Sequence, residues 1–219
     1  LEDLTDCRVV GTAAIEAAVG HDLPFYSYRL SKRTCLSHEL DIRNDIQQLH
    51  CVTDFQGYSE IGTLFLHPDY RKDKNGLFLS RARFLFMATF PERFAEFVLA
   101  EMRGTIDDSG NSPFWESVGR HFFQMTFSEA DYLSVVTNKQ FIADLMPQDS
   151  VYVNLLSDEA KAVIGKPHPS TVPAMKILEK EGFYYNQYVD IFDAGPTLKC
   201  RVSDVSSIKN SRVLPVLQI

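Results

Sequence analysis

The stretch best suited to chemistry is a basic, glycine-containing loop that leads into a predicted helix. The loop covers residues 69–76, and helical character follows over residues 77–90. The first backbone N–H groups of a helix lack intrahelical partners and the helix dipole favours negative charge there, so such a loop suits phosphate oxygens. The residues that we expect at the phosphates are Arg71, Lys72, Lys74, Asn75, Gly76 and Leu77. The residues alone also fit a solvated loop, since a lone glycine is weak evidence.

A second candidate is a histidine held between two prolines. His168 lies in the segment GKPHP over residues 165–169, between two predicted helices. Proline restricts both its own backbone and that of the residue before it, so this loop is well suited to hold one side chain in place. Histidine titrates near neutral pH and transfers protons readily. An exposed loop histidine without a catalytic role is the alternative that the residues leave open.

The elements around these residues alternate between strands and helices. Predicted strands cover residues 8–18, 25–30, 62–66, 98–103, 151–154, 183–192 and 198–202. Predicted helices cover residues 77–90, 91–97, 114–123, 158–164 and 171–181, with a further helical stretch that starts at a capping box on Ser128 and Asp131. This alternation indicates an α/β or α+β sheet protein.

Composition limits the function classes. A chain of 219 residues with 45% hydrophobic residues suits one packed domain. A net charge of −7 argues against nucleic acid or an anionic membrane as the main partner. The four cysteines show no metal-ligand spacing, so we predict reduced thiols, no metal site and a cytoplasmic location.

The ends of the chain suggest that further elements belong to the protein. The sequence starts at Leu1 rather than at methionine and runs at once into a strand-like segment. We expect one domain over residues 1–202 that lacks N-terminal elements. We expect residues 203–219 to form a tail that leads toward a missing C-terminal region.

Several runs carry a family resemblance over nearly the whole chain. They are GTAAIEAAVG (11–20), LHPDYRKDKNG (66–76), SRARFLFMA (80–88), AEMRG (100–104), SPFW (112–115), IADLMP (142–147), VIGKPHPST (163–171) and EGFYYNQYVDIFDAGPTL (181–198). With these runs the sequence resembles the arginine N-succinyltransferases. Together they are far more specific than any one motif.

The resemblance implies a fold and a reaction. The fold is that of the GNAT-like acyl-CoA N-acyltransferases, a central mixed, mostly antiparallel sheet flanked by helices. The reaction transfers succinyl from succinyl-CoA to the α-amino group of L-arginine, the first step of the succinyl-dependent arginine degradation pathway of bacteria. The resemblance implies no permanently bound cofactor. It is compatible with either a homo-oligomer or a hetero-oligomer. The alternatives are ornithine or another amine as acceptor, or a weakly active assembly subunit of a hetero-oligomer.

The resemblance also assigns roles to residues. His168 matches the family's proton donor, and Leu64 matches a position that binds succinyl-CoA, with Phe65 and Leu66 on the same strand. A backbone N–H of this strand would polarise the thioester carbonyl. The usual pyrophosphate pattern, Arg/Gln-x-x-Gly-x-Gly/Ala, aligns with Asp73, Gly76 and Phe78, so two of its three positions depart.

Recognition of the two substrate ends needs opposite charges. A guanidinium requires a carboxylate, and the succinyl carboxylate requires a cation or N–H donors. Each candidate also fits an ordinary structural ion pair. The anionic candidates are Glu101, Asp190 and Asp193, and the cationic ones are Arg81, Arg83 and Arg103.

Overall fold

The structure, a computed structural model, describes residues 1–137, 139–147, 149–212 and 214. Its strands are β1 (Glu2–Asp3), β2 (Arg8–Val9), β3 (Gly11–Glu16), β4 (Ser27–Ser37), β5 (Ile42–Val52), β6 (Ser59–Leu66), β7 (Phe97–Glu101), β8 (Val151–Tyr152), β9 (Tyr184–Val189) and β10 (Pro196–Arg201). The first two form a small hairpin, and the other eight form one sheet in the order β3-β6-β7-β10-β9-β4-β5-β8. Neighbours are antiparallel except for the parallel pair β6 and β7. The predicted mixed, mostly antiparallel sheet is confirmed.

Helices flank both faces of this sheet. They are α1 (Asn75–Thr89), α2 (Pro113–Ser117), α3 (Gly119–Phe123), α4 (Phe127–Val136), α5 (Gln140–Leu145), α6 (Asp158–Val163), α7 (Val172–Glu181) and α8 (Ser206–Lys209). Within the described residues, no helix combines the length and apolar character needed to cross a bilayer.

The two faces of β7 show how the core is divided. Val98, Ala100 and Met102 pack with Phe84 of α1 and Leu178 of α7 in one buried cluster. The opposite face carries Leu99, which packs with Val19 and Phe55 in a second, smaller cluster. A third cluster surrounds the buried Trp115 and joins helices α2–α6 to strands β4, β5 and β9. Since side chains alternate along a strand, Glu101 shares its face with Leu99.

Strand β6 bends where the predicted site begins. Its antiparallel pairing with β3 shifts register between Gly62 and Phe65, and Thr63 has a φ of 50° within the shift. A residue inserted in this way forms a β-bulge, which bends the strand and increases its twist. The predicted strand at residues 62–66, the loop after it and the helix that follows are confirmed, with the helix starting two residues earlier than predicted.

Three predicted helix boundaries are wrong. The helix predicted at residues 91–97 is one 3₁₀ turn (Pro91–Arg93) followed by β7. The helix predicted at residues 114–123 breaks at Val118 (φ −127°, ψ −74°), where a Cβ on Gly119 would lie 2.3 Å from the Trp115 ring. The capping box is formed by Thr126 and Glu129, whose side chains and backbone N–H groups bond reciprocally, rather than by Ser128 and Asp131.

The predicted tail starts within the folded part of the chain. Val205, within the predicted tail, is fully buried in the cluster that contains Phe84 and Leu178. Ser207 N–H donates to Glu181 Oε2 (2.7 Å), which ties α8 to α7. Positions 213 and 215–219 of the predicted tail lie outside the described residues, and the division at residue 202 stays a prediction.

Candidate active site

A gap between β6 and β7 is the centre of the candidate site. The two strands pair only at Ser59 with Val98 and at Glu60 with Leu99, after which β6 continues to Leu66. Leu64 follows Ser59 by five residues and Arg103 follows Val98 by five, so, allowing for the bulge in β6, the two residues lie within about one residue of the same level. The backbone groups that line such a gap are free to bind an extended, amide-containing ligand in the manner of a strand.

At one end of the gap lies a cavity of about 450 Å³ with basic residues on one side. It is formed by the end of β6, the loop before α1, the first turn of α1 and the N-terminal half of α7. The predicted cofactor-binding residues that line it are Leu64, Phe65, Leu66, Arg71, Lys72, Lys74, Asn75 and Gly76. Leu77 lies in the first turn of α1 but not in the lining. The structure therefore brings together eight of the nine predicted residues.

The loop before α1 is shaped to receive an anion. Lys74, the N-cap of α1, has a φ of 63° and no side chain caps the helix within the described residues. Asp73 is also left-handed (φ 51°), which is uncommon for residues other than glycine. Arg71 Nε donates to the Leu66 carbonyl at 2.9 Å and so ties the loop to the end of β6. Lys72 and Lys74 are exposed and form no ion pair with a described residue, which leaves two free cations beside an open helix N-terminus.

The His168 loop is fixed to the edge of β7 that faces the gap. Met102 N–H donates to Pro196 O of β10 (3.1 Å), so strand alternation turns the backbone groups of Arg103 the other way, toward β6. His168 N–H donates to the Arg103 carbonyl at 2.7 Å. Gly165 N–H, at the start of the loop, donates to the Ala194 carbonyl at 2.9 Å. The prediction of a well-held loop is confirmed, and the structure adds that it sits at the gap.

The ring of His168 is oriented by the residue two positions later. Ser170 N–H donates to Nδ1 (3.2 Å), and Ser170 Oγ lies 2.7 Å from the same nitrogen. A ring nitrogen that accepts an amide proton carries none itself, so the proton of the neutral ring is on Nε2. Ser170 also lines the basic cavity. The sequence analysis missed this serine, although a serine two residues after a histidine in a proline-bounded turn was a readable signal.

A second cavity, of about 260 Å³, lies beside the end of β7 and is acidic. Its charged lining residues are Glu101, Arg103, Asp131, Asp190 and Asp193. Burial, and then the neighbouring carboxylates, raises the pKa of Glu101 well above its usual range. Burial and the nearby Asp193 raise the pKa of Asp190 to about 7. The three carboxylates proposed from the sequence are therefore brought together in one pocket.

Two of the three arginines proposed from the sequence point elsewhere. Arg81 Nε lies 2.7 Å from Glu181 Oε1, an ion pair that links α1 to α7. Arg83 is buried and donates to Ser80 O and Oγ within α1, with a longer contact to the Gly62 carbonyl at 3.5 Å. Burial lowers the pKa of Arg83 to about 10. Only Arg103 lines one of the two cavities just described.

Other reactive groups lie outside these cavities. Burial raises the pKa of both Cys51 and Cys200 to about 11, which disfavours the thiolate that a covalent acyl-enzyme would need. His50 is held between the hydroxyl groups of Ser31 and Ser150. Over the described part of the chain, no group of three or more His, Cys, Asp or Glu side chains is arranged to hold a metal.

Comparison with known proteins identifies the family of the chain. The family model described as "Arginine N-succinyltransferase beta subunit" matches residues 1–207. The chain belongs to the arginine N-succinyltransferase family. It is 52% identical over 218 residues to the arginine N-succinyltransferase of Citrobacter koseri, covering 100% of this chain and 63% of that protein. It is 53% identical over 211 residues to that of Yersinia pseudotuberculosis serotype O:3, covering 96% of this chain and 60% of that protein.

A solved structure shows the same fold. The arginine/ornithine succinyltransferase subunit AI of Pseudomonas aeruginosa superposes with a TM-score of 0.84 at 39% identity, over 98% of this chain and 62% of that one. The chain thus spans about three fifths of the length of the relatives that it matches. The GNAT-like fold implied by the sequence resemblance is confirmed at this level.

Proposed function

We propose that the protein transfers the succinyl group of succinyl-CoA to the α-amino group of L-arginine. The observation that carries the proposal is the gap between β6 and β7, with a basic cavity beside the end of β6, an acidic cavity beside the end of β7 and the His168 loop at its edge. Succinyl-CoA is anionic and L-arginine carries a cationic side chain, so the two substrates match the two cavities. Family membership supports the same reaction.

The cavity residues suggest how succinyl-CoA binds. Its phosphates would lie at the open N-terminus of α1 beside Lys72 and Lys74, where backbone N–H groups and charge both favour anions. The pantetheine arm, which contains amides, would run along the unpaired edge of β6. The thioester would then lie near Leu64, across the gap from the residues that follow β7. Succinyl-CoA acts here as a co-substrate and not as a permanently bound cofactor.

The reaction needs one bond to form and one to break. The neutral α-amine attacks the thioester carbonyl, and the resulting tetrahedral intermediate collapses with cleavage of the C–S bond. His168, as the imidazolium, would give its Nε2 proton to the departing CoA thiolate while Nδ1–H donates to Ser170 Oγ. The proton that the attacking nitrogen loses would then restore the imidazolium. The oxyanion of the intermediate would accept a backbone N–H from the bulged part of β6. The raised pKa values of Cys51 and Cys200 favour this direct transfer over an acyl-enzyme route through either thiol.

The neighbour from Pseudomonas aeruginosa supports a second acceptor. Its name includes both arginine and ornithine, and an acidic pocket also suits the shorter ammonium side chain of ornithine. The word "subunit" in that name and "beta subunit" in the family description support an assembly of more than one chain. The free cysteines fit a reducing, cytoplasmic compartment.

The test is a thiol-release assay on the full-length protein, with succinyl-CoA or acetyl-CoA crossed with L-arginine or L-ornithine. We expect strong release with succinyl-CoA and arginine. His168→Gln should lower kcat by about 10²- to 10⁴-fold, the usual contribution of a general acid. His121→Gln is the matched control, because His121 is exposed on α3 and lines neither cavity.

Two results would overturn the proposal. Folded wild-type protein that releases no thiol with any pair would favour a non-catalytic subunit. A His168→Gln variant with wild-type turnover would remove His168 from the mechanism while leaving the substrate assignment in place.

A further inference from the structure

Glu101 is a partly buried acidic side chain with one carboxylate oxygen that has no partner among the described residues. It ends β7 on the face opposite the core formed with α1 and α7, and its side chain lines the acidic cavity. Its Oε1 is inaccessible to solvent and has no hydrogen-bond partner among the described residues. Buried polar groups are normally hydrogen-bonded, so an orphan of this kind requires an explanation.

The two neighbouring carboxylates are already engaged by the backbone. Asp193 accepts Gly104 N–H at Oδ2 (2.7 Å) and Gly195 N–H at Oδ1 (2.8 Å). Asp190 Oδ1 accepts the N–H groups of Phe192 (2.7 Å) and Asp193 (2.9 Å). These two side chains therefore shape the loop after β9 and contribute negative potential. Of these three carboxylates, Glu101 is the one with a buried oxygen that accepts no hydrogen bond from a described residue.

The charges that act on Glu101 are mostly negative. Asp190, Glu60 and Asp193 disfavour its ionised form, and Lys139 alone opposes them. No ion pair within the described residues neutralises it. A site that gathers carboxylates in this way, at a cost to each, gains from a ligand that brings a positive charge and N–H donors.

The cavity has apolar walls as well as a charged floor. Phe127 and Phe192 line it, and Phe192 is itself stacked on Trp115 with ring centroids 5.4 Å apart. Aromatic walls suit both the methylene stem and the planar head of a guanidinium side chain. Glu101 lies two strand residues, or about 7 Å, before the Arg103 carbonyl that holds His168. That span is comparable to the length of an arginine side chain.

We infer that Glu101 binds the side-chain guanidinium of the acceptor amino acid and so directs its α-amino group into the gap beside His168. The inference rests on the proposed succinyl transfer and adds to it the residue that selects a cationic acceptor. Asp190 and Asp193 act through the negative potential that they add and through the loop that they hold.

The test compares Glu101→Gln with Asp131→Asn in the full-length protein. Both variants remove one charge from the lining of the same cavity, but Asp131 is exposed on α4. We expect Glu101→Gln to raise the KM for L-arginine by about 30-fold or more, the usual loss for a truncated buried charge pair. The KM for succinyl-CoA should stay within about twofold in both variants, and Asp131→Asn should change the KM for arginine only a few-fold.

Two further measurements separate a binding role from a structural one. Thermal unfolding should show Glu101→Gln to be at least as stable as wild type, since the variant loses an unpaired buried charge. L-citrulline, which replaces the guanidinium by a neutral group of similar shape, should be a far poorer acceptor than arginine for wild type but not for Glu101→Gln.

The outcomes distinguish the inference from the function beneath it. Active wild type with an unchanged KM for arginine in Glu101→Gln would overturn the inference and leave succinyl transfer intact. Equal losses of activity with arginine and with citrulline in Glu101→Gln would also overturn it, because the residue would then not distinguish a charged acceptor from a neutral one. Wild type that is inactive with every acceptor would overturn the proposed function itself.

Discussion

Replacing Ser170 by alanine tests whether the orientation of the His168 ring matters for turnover. The hydroxyl lies 2.7 Å from Nδ1, and the backbone N–H of the same residue donates to Nδ1 at 3.2 Å. The substitution removes the first contact and keeps the second. One such hydrogen bond contributes about 0.5–1.5 kcal/mol net, which corresponds to about a 2- to 13-fold loss in kcat if the bond serves only to hold the productive ring position.

The assay is a double-mutant cycle on kcat for thiol release. Ser170→Ala should lower kcat in the wild-type background by the stated factor and have no further effect, within about twofold, in the His168→Gln background. Ser109→Ala, an exposed loop serine, serves as the control for the substitution itself. Because Ser170 also lines the basic cavity, a change in the KM for succinyl-CoA is acceptable. The same loss of kcat in both backgrounds would refute the reasoning, since Ser170 would then act independently of the histidine.

Three further predictions concern the cofactor loop, the helix pair and the acidic cavity. Lys72→Gln should raise the KM for succinyl-CoA by about two- to fivefold, and by less at high salt. Lys209→Gln on α8 is the control and should leave this KM unchanged. The measurement is steady-state kinetics at two ionic strengths. Glu181→Ala should lower the free energy of unfolding by about 3 kcal/mol in urea titrations, because the buried carboxylate bonds a half-exposed arginine and a backbone N–H; a loss below about 1 kcal/mol would contradict this. The KM for arginine should rise as the pH falls from 8 to 6, since Asp190, with a pKa raised to about 7, takes up a proton that a cation must displace; a KM for arginine that is flat over this range would count against the acidic site.

The parts of the site that were predictable from sequence are those formed by contiguous residues. Strand β6, the loop and α1 follow one another, and a proline, a glycine and an apolar run mark their boundaries. The loop around His168 is marked by its two prolines in the same way. For the fold as a whole, local patterns indicated only alternating strands and helices, and the family resemblance supplied the sheet.

The parts that were missed depend on contacts between distant residues. Strand β5 escaped prediction because it pairs with β4 in an arm whose residues are mostly exposed or half-buried on both faces, so its sequence, IRNDIQQLHCV, lacks apolar alternation. The sequence offered Arg81 as a candidate for the succinyl carboxylate, but in the structure it bonds Glu181, one hundred residues away. A charged residue in a sequence shows what it can bind, and its partner is set by the tertiary structure.

The opposite charges of the two cavities also bear on how the two substrates would be arranged. The protein is acidic overall, with a net charge of −7, yet Lys72 and Lys74 form no ion pair with a described residue and lie where a helix N-terminus is open. In the acidic cavity, burial and then the neighbouring carboxylates raise the pKa values of Glu101 and Asp190. Under the proposed function, each cavity would be neutralised by one of the two substrates. Between them, the bulge at Thr63 and the early end of the β6–β7 pairing leave backbone groups free, and the loop that carries His168 bonds the exposed edge of β7. Under the proposed succinyl transfer, these departures from regular sheet geometry would keep the charged ends of the two substrates apart and bring their reacting ends together beside His168.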